Sequence, residues 1–265
     1  MGREMAAAKG TYVYALVVAE TRPRLTRVPA GLPGTGRVRL LDAGSHLYVV
    51  VADAPLDRYS ETAINRGLGD LDWVSRAAIA HEAVVEAFIR ETAVLPMKLF
   101  TIFLNDDRAG AHVRGERPRI AAMVRRVANH QEWGVRVVLD RARATAAQRT
   151  PRTARRARPA ASGLAYLSQK KAQRDAAAEL ATNARHTVAA LFDKLSARSR
   201  DARRRPASEM PVDSGPLLLD AAFLVPRTRA ASFQTLTARE AKALERQGYG
   251  LTVTGPWPPY TFVKD

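Results

Sequence analysis

His81 and Glu82, with Glu86 one turn further on, are the side chains whose types and spacing come nearest to a metal-binding helix. A zinc-protease helix repeats its histidine four residues after the first, so that both rings share a face and grip one ion. Here position 85 is Val, there is no Cys, and the other four histidines are scattered along the chain. His81 and Glu82 are therefore read as capping or pairing groups on a helix face, and no metal site is expected. Gly31-Leu32-Pro33-Gly34-Thr35-Gly36 resembles a phosphate-binding loop only in its glycines. It lacks the Lys-Ser/Thr pair, and no helical pattern follows it to supply free amides. A flexible turn is expected instead. No Ser stands in a Gly-x-Ser-x-Gly elbow. With no nucleophile, base and oxyanion donors brought together, no catalytic residues and no cofactor are expected.

Two basic runs remain, Arg152 to Arg158 and Arg200 to Arg205. Each Arg in them could meet a phosphate and release counterions. Neither run carries the aromatic platforms or polar base readers that single-stranded or specific recognition adds. They are read as solvated linker or as a docking surface for acidic protein, with Arg155 and Arg156 as candidate contacts. A basic nucleic-acid-binding regulator stands as the alternative. The C-terminal Gly255-Pro256-Trp257-Pro258-Pro259-Tyr260 is unusual in another way. Three prolines stiffen the chain toward an extended, polyproline-like path. Trp257, Tyr260 and Phe262 then offer large apolar surfaces, either to close a domain core or to dock a partner.

These groups must be positioned by the surrounding elements. The chain has 265 residues, enough for two domains, with 46% hydrophobic and 26% charged residues. It carries 42 Lys plus Arg against 26 Asp plus Glu, a net +16, which favours acidic partners of some kind. The absence of Cys suits a cytoplasmic protein and removes disulfides. No apolar run reaches the length needed to span a bilayer, and MGREMAAAKG has no apolar signal core. Residues 1–10 are expected to be a disordered lead-in.

Tyr12 to Val18 and Leu47 to Val51 read as strands, with a short strand over Gly36 to Leu41 between them. Trp73, Ala77, Ala80, Val84, Val85 and Phe88 lay one apolar stripe along a helix from Asp70 to Glu91. A strand over Val94 to Phe103, helices from Asn105 to about Asn129 restarting at Pro118, and a strand from Gly134 to Asp140 complete residues 11–140. That order fits a ferredoxin-like α+β domain with helices on one face of a mainly antiparallel sheet. Residues 141–160, rich in Arg, Ala, Thr and Pro, are expected to be a basic linker. Residues 161–265 form a second α+β domain in this reading. It has a long helix from Ser162 to about Arg198, a strand over Leu217 to Val225, a helix opened by a Thr237–Glu240 capping box and closed at Gly248, and a strand over Leu251 to Thr254.

Four segments, in order, resemble the GvpL/GvpF family of gas vesicle proteins. They are YVYALV at 12–17, VLPMKLFTIF at 94–103 with EWGVRVVLD at 132–140, GLAYLSQKK at 163–171, and LTVTGPWPPYTFV at 251–263. Two departures from the family pattern stand out, Leu99-Phe100-Thr101 in place of Phe-Gly-Thr and the Asn129-His130 region in place of a glycine. The resemblance implies a non-enzymatic, cytoplasmic, gas vesicle-associated accessory protein. Its implied partners are the major, hydrophobic shell protein and other accessory proteins, whose assembly it would nucleate or chaperone. Trp257, Tyr260 and Phe262 are the expected partner-binding anchors, with Arg155 and Arg156 steering an acidic partner. Neither a membrane nor a nucleic acid is an expected partner.

Overall fold

Tyr12, Val13, Tyr14, Ala15, Leu16 and Val17 are all buried, so their strand is buried on both sides. A computed structural model describes residues 8–140, 163–206 and 216–263. The chain divides into two compact units, Met1–Gln131 with Pro256–Asp265, and Glu132–Gly255.

In the first unit β1 (Lys9–Val18) is central. It pairs antiparallel with β3 (Leu47–Pro55), which pairs with β2 (Arg39–Asp42), and with β4 (Ala93–Pro96) on its other side. The two-residue β5 (Ile102–Phe103) pairs with Thr11 and Tyr12. Register shifts between Val13 and Ala15, leaving Tyr14 without a β3 partner. The bulge helps bring Tyr12, Tyr14 and Val17 into one cluster with Val84, Val85 and Phe88.

The segment expected as one strand over Val94 to Phe103 is instead broken between β4 and β5. Pro96 has no amide to continue the ladder. The Phe100 amide donates to the Tyr12 hydroxyl at 3.1 Å, and Phe100 itself sits at φ 64°. Two short helices, α1 (Leu56–Tyr59) and α2 (Glu61–Gly67), follow β3. α3 (Leu71–Glu86) starts at Asp70, whose carboxylate accepts from the Asp72 and Trp73 amides. It buries Ala77, Val84 and Val85 of the expected stripe and, in addition, His81, while Trp73 and Ala80 are only partly buried. Asn105 caps α4 (Asp106–Gly115), and Pro118 lies in the first turn of α5 (Arg117–Val127). α4 touches β1 and β5, and α5 touches β4. Arg39 binds both Asp53 (2.5 Å) and Asp106 (2.8 Å), tying β2, β3 and the start of α4 together.

The second sheet has the order β7-β8-β6-β9: β7 (Asp201–Arg204), β8 (Leu217–Pro226), β6 (His130–Leu139) and β9 (Tyr249–Trp257). β6, read from sequence as closing the first half, therefore lies in the second sheet. The reason is that Trp133, Val135, Val137 and Leu139 share one core with Leu219, Ala221, Phe223 and Val225. That core is covered by Ala184, Val188, Leu191 and Leu195 of the long helix α6 (Gly163–Ser196) and by Phe233 and Leu244 of α7 (Ala230–Glu245). Thr237 does not open this helix. It is buried within it, its hydroxyl donating to the carbonyls of Phe233 (3.1 Å) and Gln234 (2.9 Å). Gly248, at φ 86°, does end the turn after the helix. The basic linker expected over 141–160 lies outside the described residues, as do residues 1–7 of the lead-in expected over 1–10, whose Lys9 and Gly10 instead begin β1. No helix among the described residues is long and apolar enough to cross a membrane.

Candidate functional site

A concavity of about 700 Å³ in the first unit lies at the β4 edge of its sheet. Its wall is mostly apolar: Val13 and Leu16 of β1, Met97 and Leu99 of the broken segment, and Val113, Ile120 and Met123 of α4 and α5. Tyr260 and Val263 of the C-terminal tail complete it, and Lys98, Glu116 and Arg119 supply mixed charge. Past Pro96 the Met97 amide still donates to the Tyr14 carbonyl at 2.9 Å, and the chain then turns through Phe100 before β5 rejoins β1. Met97 and Leu99 of that turn form one wall of the groove, and Val113, Ile120 and Met123 of α4 and α5 form another.

His81 reaches this groove from α3 but is not a ligand in waiting. Its Nδ1 lies 2.7 Å from the Tyr12 hydroxyl, and the rings of Tyr12 and Tyr14 pack at 5.8 and 5.5 Å. Were Nδ1 the donor, the buried Tyr12 proton would have no acceptor, so Tyr12 donates and the imidazole proton is assigned to Nε2. Nε2 is buried without a hydrogen bond, with the Met97 backbone as a polar neighbour. Burial lowers the His81 pKa to about 4, partly offset by that backbone, so the ring is neutral at pH 7. The sequence reading of His81 as a capping or pairing group on a helix face is thus made specific: it pairs with Tyr12, and it does so from the buried face of α3. Its neighbours Glu82 and Glu86 do share a face, where burial and then Glu82 raise the Glu86 pKa. Among the described residues no three His, Asp or Glu side chains converge as a metal site.

The glycine segment is a packed turn with no anion cradle. The Leu32 amide donates to the Tyr14 hydroxyl at 2.9 Å, and the Thr35 amide donates back to the Leu32 carbonyl at 3.0 Å. A Cβ on Gly31 would stand 1.9 Å from the Tyr14 oxygen, which is why glycine is needed there.

The tail anchors separate. Trp257 ends β9 with 38% of its surface exposed, Tyr260 is half-buried on the groove wall, and Phe262 is 1% exposed. Phe262 therefore holds the tail down and offers no surface to a partner. The tail is extended only through Gly255-Pro256-Trp257, the end of β9. After the buried Pro258 and Pro259 it turns tightly, the Phe262 and Val263 amides donating to the Pro259 carbonyl at 3.0 and 3.2 Å.

Arg155 and Arg156 lie outside the described residues. The second basic run is strand β7 and its continuation, and its charges are used inside the fold. Arg204 lies 4.5 Å over the Phe192 ring, and Arg203 is 4.0 Å from Asp201. Arg205 reaches Asp220 at 2.7 Å and Glu132 at 4.0 Å, both buried. A Cβ on Gly134 would meet the Arg205 guanidinium at 3.2 Å and the Thr254 hydroxyl at 2.5 Å. The Glu132-Trp133-Gly134 motif thereby has a physical reading: an ion-pair partner, a core ring, and the clearance that lets Arg205 pass.

Comparison with known proteins points one way. The family model described as gas vesicle synthesis protein GvpL/GvpF matches residues 10–264. The chain is 31% identical over 255 residues to gas vesicle protein L of Streptomyces sp. (strain CB03234), covering 95% of this chain and 91% of that one. It is 27% identical to gas vesicle protein F of the same strain, over 96% of this chain and 99% of that one. Its fold is similar to the crystal structure of GvpF from Anabaena sp. PCC7120, with TM-score 0.69 at 16% identity over 97% of this chain and 99% of that one. GvpF from Microcystis aeruginosa gives TM-score 0.63 at 14% identity, over 96% and 99%.

Proposed function

The chain belongs to the gas vesicle GvpL/GvpF family, and from that premise we propose that it is an accessory protein which shields the hydrophobic shell subunit before that subunit joins the vesicle wall. The observation that carries this reading is the apolar groove of about 700 Å³ along the β4 edge. A partner's apolar surface buried there gains roughly 25 cal/mol per Å² removed from water. Pro96 and the break after it blunt the edge against strand addition, so the groove suits side chains of an apolar helix or hairpin better than a new strand. Tyr260 and Trp257 stand at the wall and near it in sequence, one half-buried and one exposed, as interface aromatics commonly do. No step in this role needs chemistry, and the role is non-enzymatic. Association with the growing vesicle in the cytoplasm, and contacts to other accessory proteins, follow from the same reading.

The test is co-purification of the tagged protein with the shell protein, comparing the unaltered chain with Met123→Glu. A charge in the groove wall is expected to lower shell-protein recovery about tenfold while the melting temperature stays within a few degrees. Equal recovery with both chains would remove the groove from the account.

A further inference from the structure

A second concavity in the first unit, of about 560 Å³, is unlike the groove because its lining is cationic. Arg58 from α1, Arg66 from α2 and Arg76 from α3 face it, with Tyr59 and Trp73 as aromatic floor. Among the described residues none of the three guanidiniums has an ion pair or hydrogen bond, although Asp57, Glu61 and Asp72 lie on the same helices. The acidic group that lines the cleft, Asp70, caps α3, its Oδ1 accepting the Asp72 and Trp73 amides at 3.0 and 3.1 Å, and it forms no ion pair with the three arginines.

The site is built rather than accidental. The Trp73 ring is stacked on Phe100, centroids 5.0 Å apart at 17°, and lies so close to Gly67 that a Cβ there would stand 2.7 Å from it. Gly34, at φ +81°, leaves room for Arg58, whose guanidinium would be 2.7 Å from a Cβ at that position. Three unpaired guanidiniums spread around a part-exposed indole suit several separated carboxylates better than one compact anion. A phosphate would find no helix amides, because Asp70 occupies those at the start of α3. Leu68 and Leu71, which follow the cleft-lining Gly67 and Asp70 in sequence, are 52% and 80% exposed, apolar surface that suits a protein partner better than a free ion.

We propose that this cleft docks an acidic, amphipathic segment of a partner protein, its carboxylates meeting Arg58, Arg66 and Arg76 and an apolar side chain lying against Trp73. The claim is independent of the shell-protein groove.

The experiment measures fluorescence anisotropy of a short labelled peptide of alternating Leu and Glu pairs against the full chain. Three proteins are compared: unaltered, Arg58→Gln/Arg66→Gln/Arg76→Gln, and a control that loses equal charge elsewhere, Arg24→Gln/Arg108→Gln/Arg114→Gln. The cleft triple is expected to weaken binding at least tenfold and the control less than twofold, with melting temperatures unchanged since all six side chains are exposed. The Gln-for-Glu peptide is expected not to bind. Equal losses in the two triples would reduce the effect to net charge and overturn the proposal. So would a single-stranded oligonucleotide that binds the unaltered chain more tightly than the peptide and is lost in the cleft triple, since the cleft would then be a phosphate site.

Discussion

The Tyr12 hydroxyl donates to Nδ1 of His81 at 2.7 Å and accepts the Phe100 amide at 3.1 Å on the same oxygen. One phenol thus joins the central strand to α3 and to the turn whose Met97 and Leu99 wall the groove. Docking surface and core are coupled at that point.

The coupling sets an acid limit on stability. His81 is neutral in the fold with a pKa of about 4, against 6.5 for the unperturbed ring. Its contribution is present above pH 6.5, and is lost as pH falls toward 4, because the unfolded chain takes the proton first. The difference amounts to about 3 kcal/mol below both values. Urea unfolding at pH 7 and pH 4.5 is expected to show a drop of about 2 kcal/mol attributable to this ring, and His81→Leu is expected to remove that increment.

Tyr12→Phe leaves the Phe100 amide and His81 Nδ1 without their shared partner, at about 2 kcal/mol. The loss is expected to appear in chemical denaturation, and hydrogen exchange at the Phe100 amide is expected to rise more than at the neighbouring core strands.

Gly31→Ala places a methyl group 1.9 Å from the Tyr14 oxygen in the bare geometry, so the loop must move. Overpacking of this kind costs about 1–3 kcal/mol. Tyr14→Phe removes the clashing oxygen, so in a double-mutant cycle the second change is expected to recover part of the first.

Much of this fold was legible in the chain. Asn105 and Pro118 announced two helix starts through chemistry that acts locally, and the Ala77–Val84–Val85 stripe named the buried face of α3. What failed depended on distant partners. Thr237 and Glu240 have the spacing of a capping box, yet Phe233 upstream fills the second core and draws the helix start back to Ala230. Val135 and Val137 alternate as any strand does, and nothing local told them to pair with β8 and not with β1. The groove was hidden for the same reason, since one of its walls is a turn that Tyr12 holds from 88 residues away. Arg58, Arg66 and Arg76 are ordinary surface arginines in sequence and form a cleft only in three dimensions.

Arg205→Gln takes the guanidinium from the buried Asp220 and Glu132. Asp220 keeps Arg136 at 3.1 Å, so the loss is that of one charge-assisted hydrogen bond, about 1.5–3 kcal/mol. A melting-temperature loss is expected, larger than that for Arg203→Gln, whose contact is at 4.0 Å and half-exposed.

The tail residues are expected to divide by burial. Phe262→Ala opens a cavity at about 3 kcal/mol, while Trp257→Ala, 38% exposed, changes stability by less than about 1 kcal/mol. Recovery of shell protein is expected to follow the opposite order once each variant is compared at a temperature where it is folded.

If the shell protein lies in the groove, side chains on the groove wall touch it. Site-specific photocrosslinking tests this directly, with a benzophenone side chain placed in turn at Met123, at Leu99 and, as control, at the exposed Ala231 of α7. The account predicts crosslinks to the shell protein from Met123 and Leu99 and none from Ala231. Crosslinks from Ala231 with none from the two groove positions would contradict it.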